Sequence, residues 1–329
     1  MQLNKIAIVG LGSIGKRHLR LIKKIRPNLD VTLIRSGAKP PSKDENLAER
    51  VVFSIEDALS YGIQAAIISS PAPFHVEQAI ALLKSGVHLL IEKPLSDRSN
   101  NLKDLVNLSR NNNSKVLIGY ALRFDPAANK FKKIIDSNTI GDFLHINIEC
   151  GSYLPEWRPE SDYKKSVSAL SYLGGGVLLE LSHELDYLHW FFGKPSCVFS
   201  KLNNSNILDI DVEDQADMIF MSNSKIPVIM QLDFNRRHSL RICKLQTTMG
   251  ELVWNAVEKS VEWKPHIGEI EKEIIDFDSD FIYKKQLENF IDCIENDAKP
   301  EVTLNDGIIV MEMIDSIRKS NLAQKTVII

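Results

Sequence analysis

"KIAIVGLGSIG", residues Lys5 to Gly15, decides how this chain is read. Lys5–Val9 is a short apolar run of strand character. Gly10-Leu11-Gly12-Ser13-Ile14-Gly15 follows it directly as G-x-G-x-x-G, and a helical pattern comes next. Between a strand and a helix, such glycines let the backbone turn tightly and approach a pyrophosphate. The helix N-terminus adds unpaired N–H groups and a partial positive charge. Gly10, Gly12, Ser13, Ile14 and Gly15 are therefore expected to hold a dinucleotide. The competing reading is a tight turn that needs glycine for packing alone.

Outward from this stretch, apolar runs recur at Val31–Ile34, Arg50–Phe53, Ala65–Ser69, Val87–Ile91 and Lys115–Gly119. Helical patterns separate them. In "HVEQAIALLKSG", Val76, Ala79, Ile80 and Leu83 share one face, and Gly86 closes the helix. Such alternation implies a parallel sheet with helices on both faces, a doubly wound α/β domain of the Rossmann type. The second strand ends in Arg35 and Ser36, where NAD-binding chains normally place an Asp or Glu for the ribose. A guanidinium there can pair with a 2′-phosphate, and no carboxylate is present to repel it, so NADP is preferred over NAD. Stacking of Arg35 on the adenine would suit either cofactor. Two further turns fall at strand C-terminal ends, where ligands sit in these sheets. They are "SSPAPFH", with Ser70, Pro71 and His75, and "IEKPLS", with Glu92 and Lys93.

The whole chain sets wider bounds. Its 329 residues are 44% hydrophobic and 25% charged, with a net charge of −3, which gives no basic footprint for nucleic acid and no attraction to an anionic membrane. No apolar run approaches the roughly 18 residues that a membrane helix needs. Cys150, Cys197, Cys243 and Cys293 form no C-x-x-C pair, which fits reduced thiols in the cytoplasm better than a disulfide frame or a zinc site. The N-terminus passes into a strand without a signal-peptide layout.

With the fingerprint, "PAPFH" and "EKP" in this order, the chain resembles the Gfo/Idh/MocA family of oxidoreductases. "GYALRFDPAANKFKKIIDSNTIGDFLHI", Gly119 to Ile146, is similar to the family's linking segment. The glycine run and "HELD" fall at its catalytic position. The resemblance implies that Lys93 lies beside the nicotinamide and the substrate. It makes His183 of H-x-x-D the acid/base, with Asp186 as its partner. Many members carry an aspartate four residues before the histidine; here that residue is Leu179, and Glu180 comes three before. The last helices are implied to pack back on the first domain, and the open sheet to form a homodimer or homotetramer.

"GGGVLLELSHELDYLHW", Gly174 to Trp190, carries the proposed base. On one continuous helix from about Leu178, Asp186, Tyr187, Trp190 and Glu180 fall within roughly 60° of His183. Leu181, Leu185, Leu188 and Phe192 gather opposite. A polar and aromatic face of this kind suits a covered pocket; a structural core histidine bonded to Asp186 is the alternative. H-E-x-x-H would require a histidine where Tyr187 stands, so no metal is expected.

Beyond Phe143 longer alternating strands appear. "PVIMQLDFN" places Val228, Met230, Leu232 and Phe234 on one face, and a hairpin turns at Met249-Gly250. Strands near Ser196–Leu202 and Asp214–Met221 extend a mostly antiparallel open sheet. Helices are expected at Phe281–Glu295 and at Leu304–Lys319, the second opened by a Thr303-x-x-Asp306 cap. The division expected is a nucleotide domain over residues 1–122 and an α+β substrate domain over 123–329. In "YLPEWRPESDYKK", Trp157 and Tyr163 offer rings to a sugar and Arg158 a fork to an anion, with Arg123 and Arg236 as possible neighbours; Glu180 is the remaining substrate candidate.

Taken together these features predict an NAD(P)-dependent dehydrogenase. It acts on a secondary alcohol, or the ketone, of a sugar, cyclitol or nucleotide-linked sugar. His183 takes or gives the proton, Lys93 stabilises the oxygen, and Asp186 orients the imidazole. A redox-neutral isomerase or epimerase with retained cofactor, and a non-catalytic NAD(P)-sensing regulator, are the rivals.

Overall fold

A computed structural model describes residues 1–37 and 41–329. The chain forms two compact units: Met1–Ala121 with Asp278–Ile308, and Leu122–Phe277 with Ile309–Ile329.

In the first unit, β1 (Lys5–Val9), α1 (Ser13–Ile25), β2 (Asp30–Ile34), β3 (Arg50–Val52), α2 (Ile55–Ser60), β4 (Ala65–Ile68), α3 (His75–Lys84), β5 (His88–Ile91), α4 (Leu102–Asn111) and β6 (Val116–Ile118) alternate. The six strands are all parallel, in the order β3-β2-β1-β4-β5-β6. β1 lies between β2 and β4, with Ile6 opposite both Val31 and Ala65. Ile6, Ala7 and Ile8 are fully buried, because helices cover both faces of the sheet. The strand order reverses between β1 and β4, so the ends of these two strands form the crevice in which ligands of such sheets bind. Ser54 caps α2 by accepting the Asp57 N–H, and Gly86, at φ +73°, follows α3.

The second unit contains α5 (Pro126–Asp136), β7 (Phe143–Gly151), α6 (Val177–Glu180), α7 (His183–Phe192), β8 (Cys197–Asn203), β9 (Gln215–Met221), β10 (Pro227–Asp233), β11 (Leu240–Thr247), β12 (Gly250–Asn255), β13 (Ser260–Pro265) and β14 (Glu271–Ile274). Their sheet runs β14-β13-β12-β11-β7-β10-β9-β8, and the short β15 (Val327–Ile328) pairs on the far side of β8. Every pair is antiparallel except β7 with β10. The period-2 pattern of β10 is realised: Val228, Met230 and Leu232 are buried, as is Phe234 just beyond the strand. Phe131 of α5 meets Phe191 of α7, and Tyr187 meets Trp254, in ring contacts 5.0 and 5.1 Å apart. The other face of the sheet stays open, with Phe199, Ile219 and Ile229 exposed in one cross-strand row.

The chain then returns to the first unit with α8 (Phe281–Glu295). Leu287, Phe290, Ile291 and Ile294 join Leu19 and Ile22 of α1 in one core. The last helix, α9 (Leu304–Ala323), starts in the first unit and continues in the second. Thr303 and Asp306 cap it reciprocally: Asp306 Oδ2 accepts the Thr303 N–H at 2.8 Å, and Thr303 Oγ1 accepts the Asp306 N–H at 3.2 Å. The first boundary thus falls one residue from the expected cut at 122/123. The boundary is Ala121/Leu122, and 278–308 belongs with the nucleotide domain. An apolar helix face shows that α8 is buried but not against which sheet.

Candidate functional site

At the end of β1 the three glycines do different work. Gly10, at φ +87°, lies so close to Ser69 that a Cβ would stand 3.0 Å from its carbonyl oxygen. Gly15 packs against Gly10 and Ser69, where a side chain would collide. A Cβ on Gly12 would meet nothing within 4 Å. Ser69 Oγ ties this turn to the carbonyls of Val9 and Gly10, at 2.8 and 3.0 Å. The N-cap residue of α1, Gly12, makes no side-chain cap bond, and the first turn of α1, where Ser13 is exposed, holds no acidic residue. The turn is thus packed from behind and open in front, over an uncapped helix end. Those features fit a pyrophosphate.

The other nucleotide-side candidates divide into two groups. Ser70, Pro71 and Lys93 are partly exposed, and Ser36 is exposed. His75 and Glu92 are buried and serve the backbone. One His75 nitrogen lies 3.0 Å from the Pro94 carbonyl and the other 2.7 Å from that of Ser70, so the ring joins the two loops from behind. Burial lowers the His75 pKa below the ordinary value. Glu92 Oε1 lies 2.6 Å from His18 Nε2, and Oε2 accepts the Lys93 N–H at 3.3 Å.

Arg35 requires a correction. Its guanidinium pairs with the Glu45 carboxylate, both side chains being largely buried. Glu45 also accepts the Ser42 N–H at 2.8 Å in a capping box, and neighbouring Asp44 pairs with Lys16 of α1 at 2.8 Å. A carboxylate does stand at the end of β2. It comes from ten residues downstream, which removes the premise of the NADP preference.

In the second unit the glycine run is first a packing device. Gly175 lies against the carbonyls of Val167 and Ser168, and Gly176, at φ +107°, lies against the Glu213 carboxylate. Glu213 accepts the Leu178 N–H at 3.2 Å at the start of α6. Burial raises its pKa above the ordinary carboxylate value.

The continuous helix expected across Glu180 and His183 is broken. α6 ends at Glu180, Leu181 and Ser182 turn, and α7 begins at His183. His183 and Glu180 are partly exposed at either side of this break. Behind them, α7 carries two buried carboxylates. Asp186 accepts from Arg123 Nη2 at 2.8 Å and Nε at 3.0 Å, with both residues buried. Arg123 also lies 5.4 Å from the Trp190 ring centroid. It is thus a counter-ion to Asp186. Glu184, fully buried, accepts from Arg241 Nε at 2.8 Å. Beside this second pair, burial pushes the Cys150 thiol up to about 12, and burial followed by the Glu184 charge raises the Tyr187 phenol.

In the loop before the glycines, Trp157 donates to Ser152 Oγ at 2.7 Å and packs edge-on against Phe234. Tyr163 donates to the Leu208 carbonyl at 2.9 Å. Arg236 pairs with Asp233 and Glu149, at 3.1 and 3.2 Å. Arg158 is exposed. Among the described residues no group of three or more His, Cys, Asp or Glu could hold a metal ion, and no helix is long and apolar enough to cross a membrane.

Residues 4–120 match the oxidoreductase family described by its NAD-binding Rossmann fold, and residues 128–252 match the GFO/IDH/MocA C-terminal domain. The chain belongs to the Gfo/Idh/MocA oxidoreductase family. It is similar to the inositol 2-dehydrogenase of Salmonella typhimurium, with 23% identity over 99% of this chain and 96% of that protein. The chain spans 54% to 66% of the length of three other curated relatives that it matches. Among solved structures, levoglucosan dehydrogenase in complex with NADH and levoglucosan has a TM-score of 0.87 at 18% identity, over 99% of this chain and 98% of that one. The WlbA dehydrogenase of Bordetella pertussis, in complex with NADH and UDP-GlcNAcA, has a TM-score of 0.86 at 18% identity, over 100% and 98%. His18, Glu45, Glu184 and Arg241 form ion or hydrogen-bonded pairs with candidate residues or their neighbours that the sequence reading did not name. His18 alone left a local signal: it falls three residues after Gly15 on the buried side of α1.

Proposed function

We propose that the chain is an NAD-dependent dehydrogenase acting on a secondary alcohol, or the corresponding ketone, of a sugar, cyclitol or nucleotide-linked sugar. One observation carries this reading: the Gly12 turn, closed behind by Gly10, Gly15 and Ser69 and open in front of an uncapped helix end. When bound there, the nicotinamide cofactor supplies the two-electron acceptor or donor. NAD is favoured over NADP because Glu45 neutralises Arg35 and would repel a 2′-phosphate. The substrate class is supported by relatives named for inositol, levoglucosan and a UDP-sugar complex.

The remaining chemistry falls to the chain. His183 takes the hydroxyl proton in oxidation and returns it in reduction. Lys93 stabilises charge developing on the oxygen. Asp186, anchored by Arg123, supports the His183 segment from one helical turn away. Glu180 and Arg158 supply polar contacts to the substrate, while Trp157 and Tyr163 hold their loop by their polar ends and offer ring faces. The protein acts in the cytoplasm as a homodimer or homotetramer, supported by its four free cysteines and by the exposed Phe199–Ile219–Ile229 row.

The test is an absorbance screen for the reduced nicotinamide, with NAD and NADP against a panel of sugars, cyclitols and nucleotide sugars. Reduction of NAD with one substrate class, and weaker reduction of NADP, is expected. No reduction with any pair, in either direction, overturns the reading.

A further inference from the structure

His18 and Glu92 form a buried pair that none of the chemistry above uses. His18 lies on α1 with no exposed surface, and its Nε2 is 2.6 Å from Glu92 Oε1. Glu92 follows β5 directly, and its own N–H is held by the Ile68 carbonyl at 2.9 Å. A Cβ on Gly119 would stand 2.8 Å from both the Glu92 Cα and Oε2, so the carboxylate is walled in on that side. Oε2 accepts the Lys93 N–H at 3.3 Å. On the other side of Lys93, His75 lies 3.0 Å from the Pro94 carbonyl. The backbone of the lysine is thus gripped before and after the residue.

The pair is an expensive way to obtain burial alone. His18 Nδ1 is buried and makes no hydrogen bond, and a buried carboxylate needs its partner to avoid a desolvation penalty. An apolar contact would hold α1 to the sheet equally well. What the pair adds is direction: it connects the helix that follows the nucleotide turn to the peptide from which Lys93 departs.

We propose that His18 is a positioning residue for Lys93, acting through the Glu92 carboxylate. This rests on the role given to Lys93 above.

Full-length His18→Leu, His18→Gln and Glu92→Gln variants test it, with kcat, KM, NAD affinity and the trinitrobenzenesulfonate labelling rate of Lys93 followed by mass spectrometry. His18→Leu should lose kcat by roughly 100-fold with NAD affinity within about threefold of the parent, the cost of a small misplacement of a reacting group. His18→Gln, which can still donate to Glu92, should recover most of the loss. The Lys93 labelling rate should change in the Leu variant and return toward the parent in the Gln variant. A folded His18→Leu protein with parental kcat, or with its whole defect in NAD affinity, overturns the proposal. If His18→Leu does not fold, Glu92→Gln decides in the same way: lowered kcat with NAD binding retained supports it, and parental kcat overturns it. If the parent turns over no substrate, the functional reading fails separately, and an unchanged labelling rate at Lys93 still overturns the role of His18.

Discussion

Glu45 determines what Arg35 can offer a cofactor. Without it, the guanidinium at the end of β2 would lose the carboxylate that offsets its charge beside a ribose phosphate. Glu45→Gln is therefore expected to raise kcat/KM for NADP relative to NAD by about tenfold or more, one lost repulsion of roughly 1.4 kcal/mol. Steady-state kinetics with both cofactors measures it, and an unchanged ratio rejects the assignment. Glu213 gives a second residue-scale prediction. Its pKa is raised by burial, so the protonated form stabilises the fold at low pH, and that contribution is lost as pH rises through the raised value. Glu213→Gln keeps an acceptor for the Leu178 N–H and should raise the thermal midpoint at pH 7, with the gain shrinking as pH falls. The fingerprint glycines are legible because their spacing is local, while the roles proposed for Lys93 and His183 come from the family resemblance. Glu45 and Arg241 are not legible, since their partners lie ten and fifty-seven residues away and only the fold brings them together.

At the scale of elements, period and punctuation identified β1 to β6, the hairpin of β11 and β12, and the full extent of α8. The break between α6 and α7 escaped because neither Leu181 nor Ser182 is a breaker, and the leucine spacing continues straight through the turn. Tertiary packing imposes it: Glu213 holds the start of α6 from outside the helix, and Arg123 and Arg241 hold α7. Gly176 is the point where this packing is least tolerant. Its φ of +107° and the Glu213 carboxylate against its Cα leave no room for a methyl group. Gly176→Ala is expected to cost about 2–4 kcal/mol by denaturant unfolding, combining backbone strain with a forced shift of the half-buried Glu213 carboxylate. A cost under about 0.5 kcal/mol would mean that the run is not a packing device.

For the whole molecule, the two-domain outline followed from the change in strand pattern near Phe143, whereas the grouping of residues 278–308 with the first unit was implied by the family resemblance alone and not by the helix pattern. An amphipathic helix specifies burial without naming a partner. The same limit applies to the open sheet face, whose Phe199, Ile219 and Ile229 read as ordinary outward positions of alternating strands. If that row is the subunit interface, Ile219→Lys should reduce the mass found by equilibrium sedimentation to that of one chain, with the circular dichroism unchanged. An unaltered mass places the interface elsewhere. The proposed function requires that Lys93 and His183 serve one substrate. The most direct measurement is kcat, with NAD and the preferred sugar, for the parent, Lys93→Ala, His183→Ala and the double variant. Each single change should lose about 100-fold or more, and the double variant should be within about threefold of the worse single, as for groups that act as a unit. A single variant that retains the parental kcat would contradict the proposed chemistry.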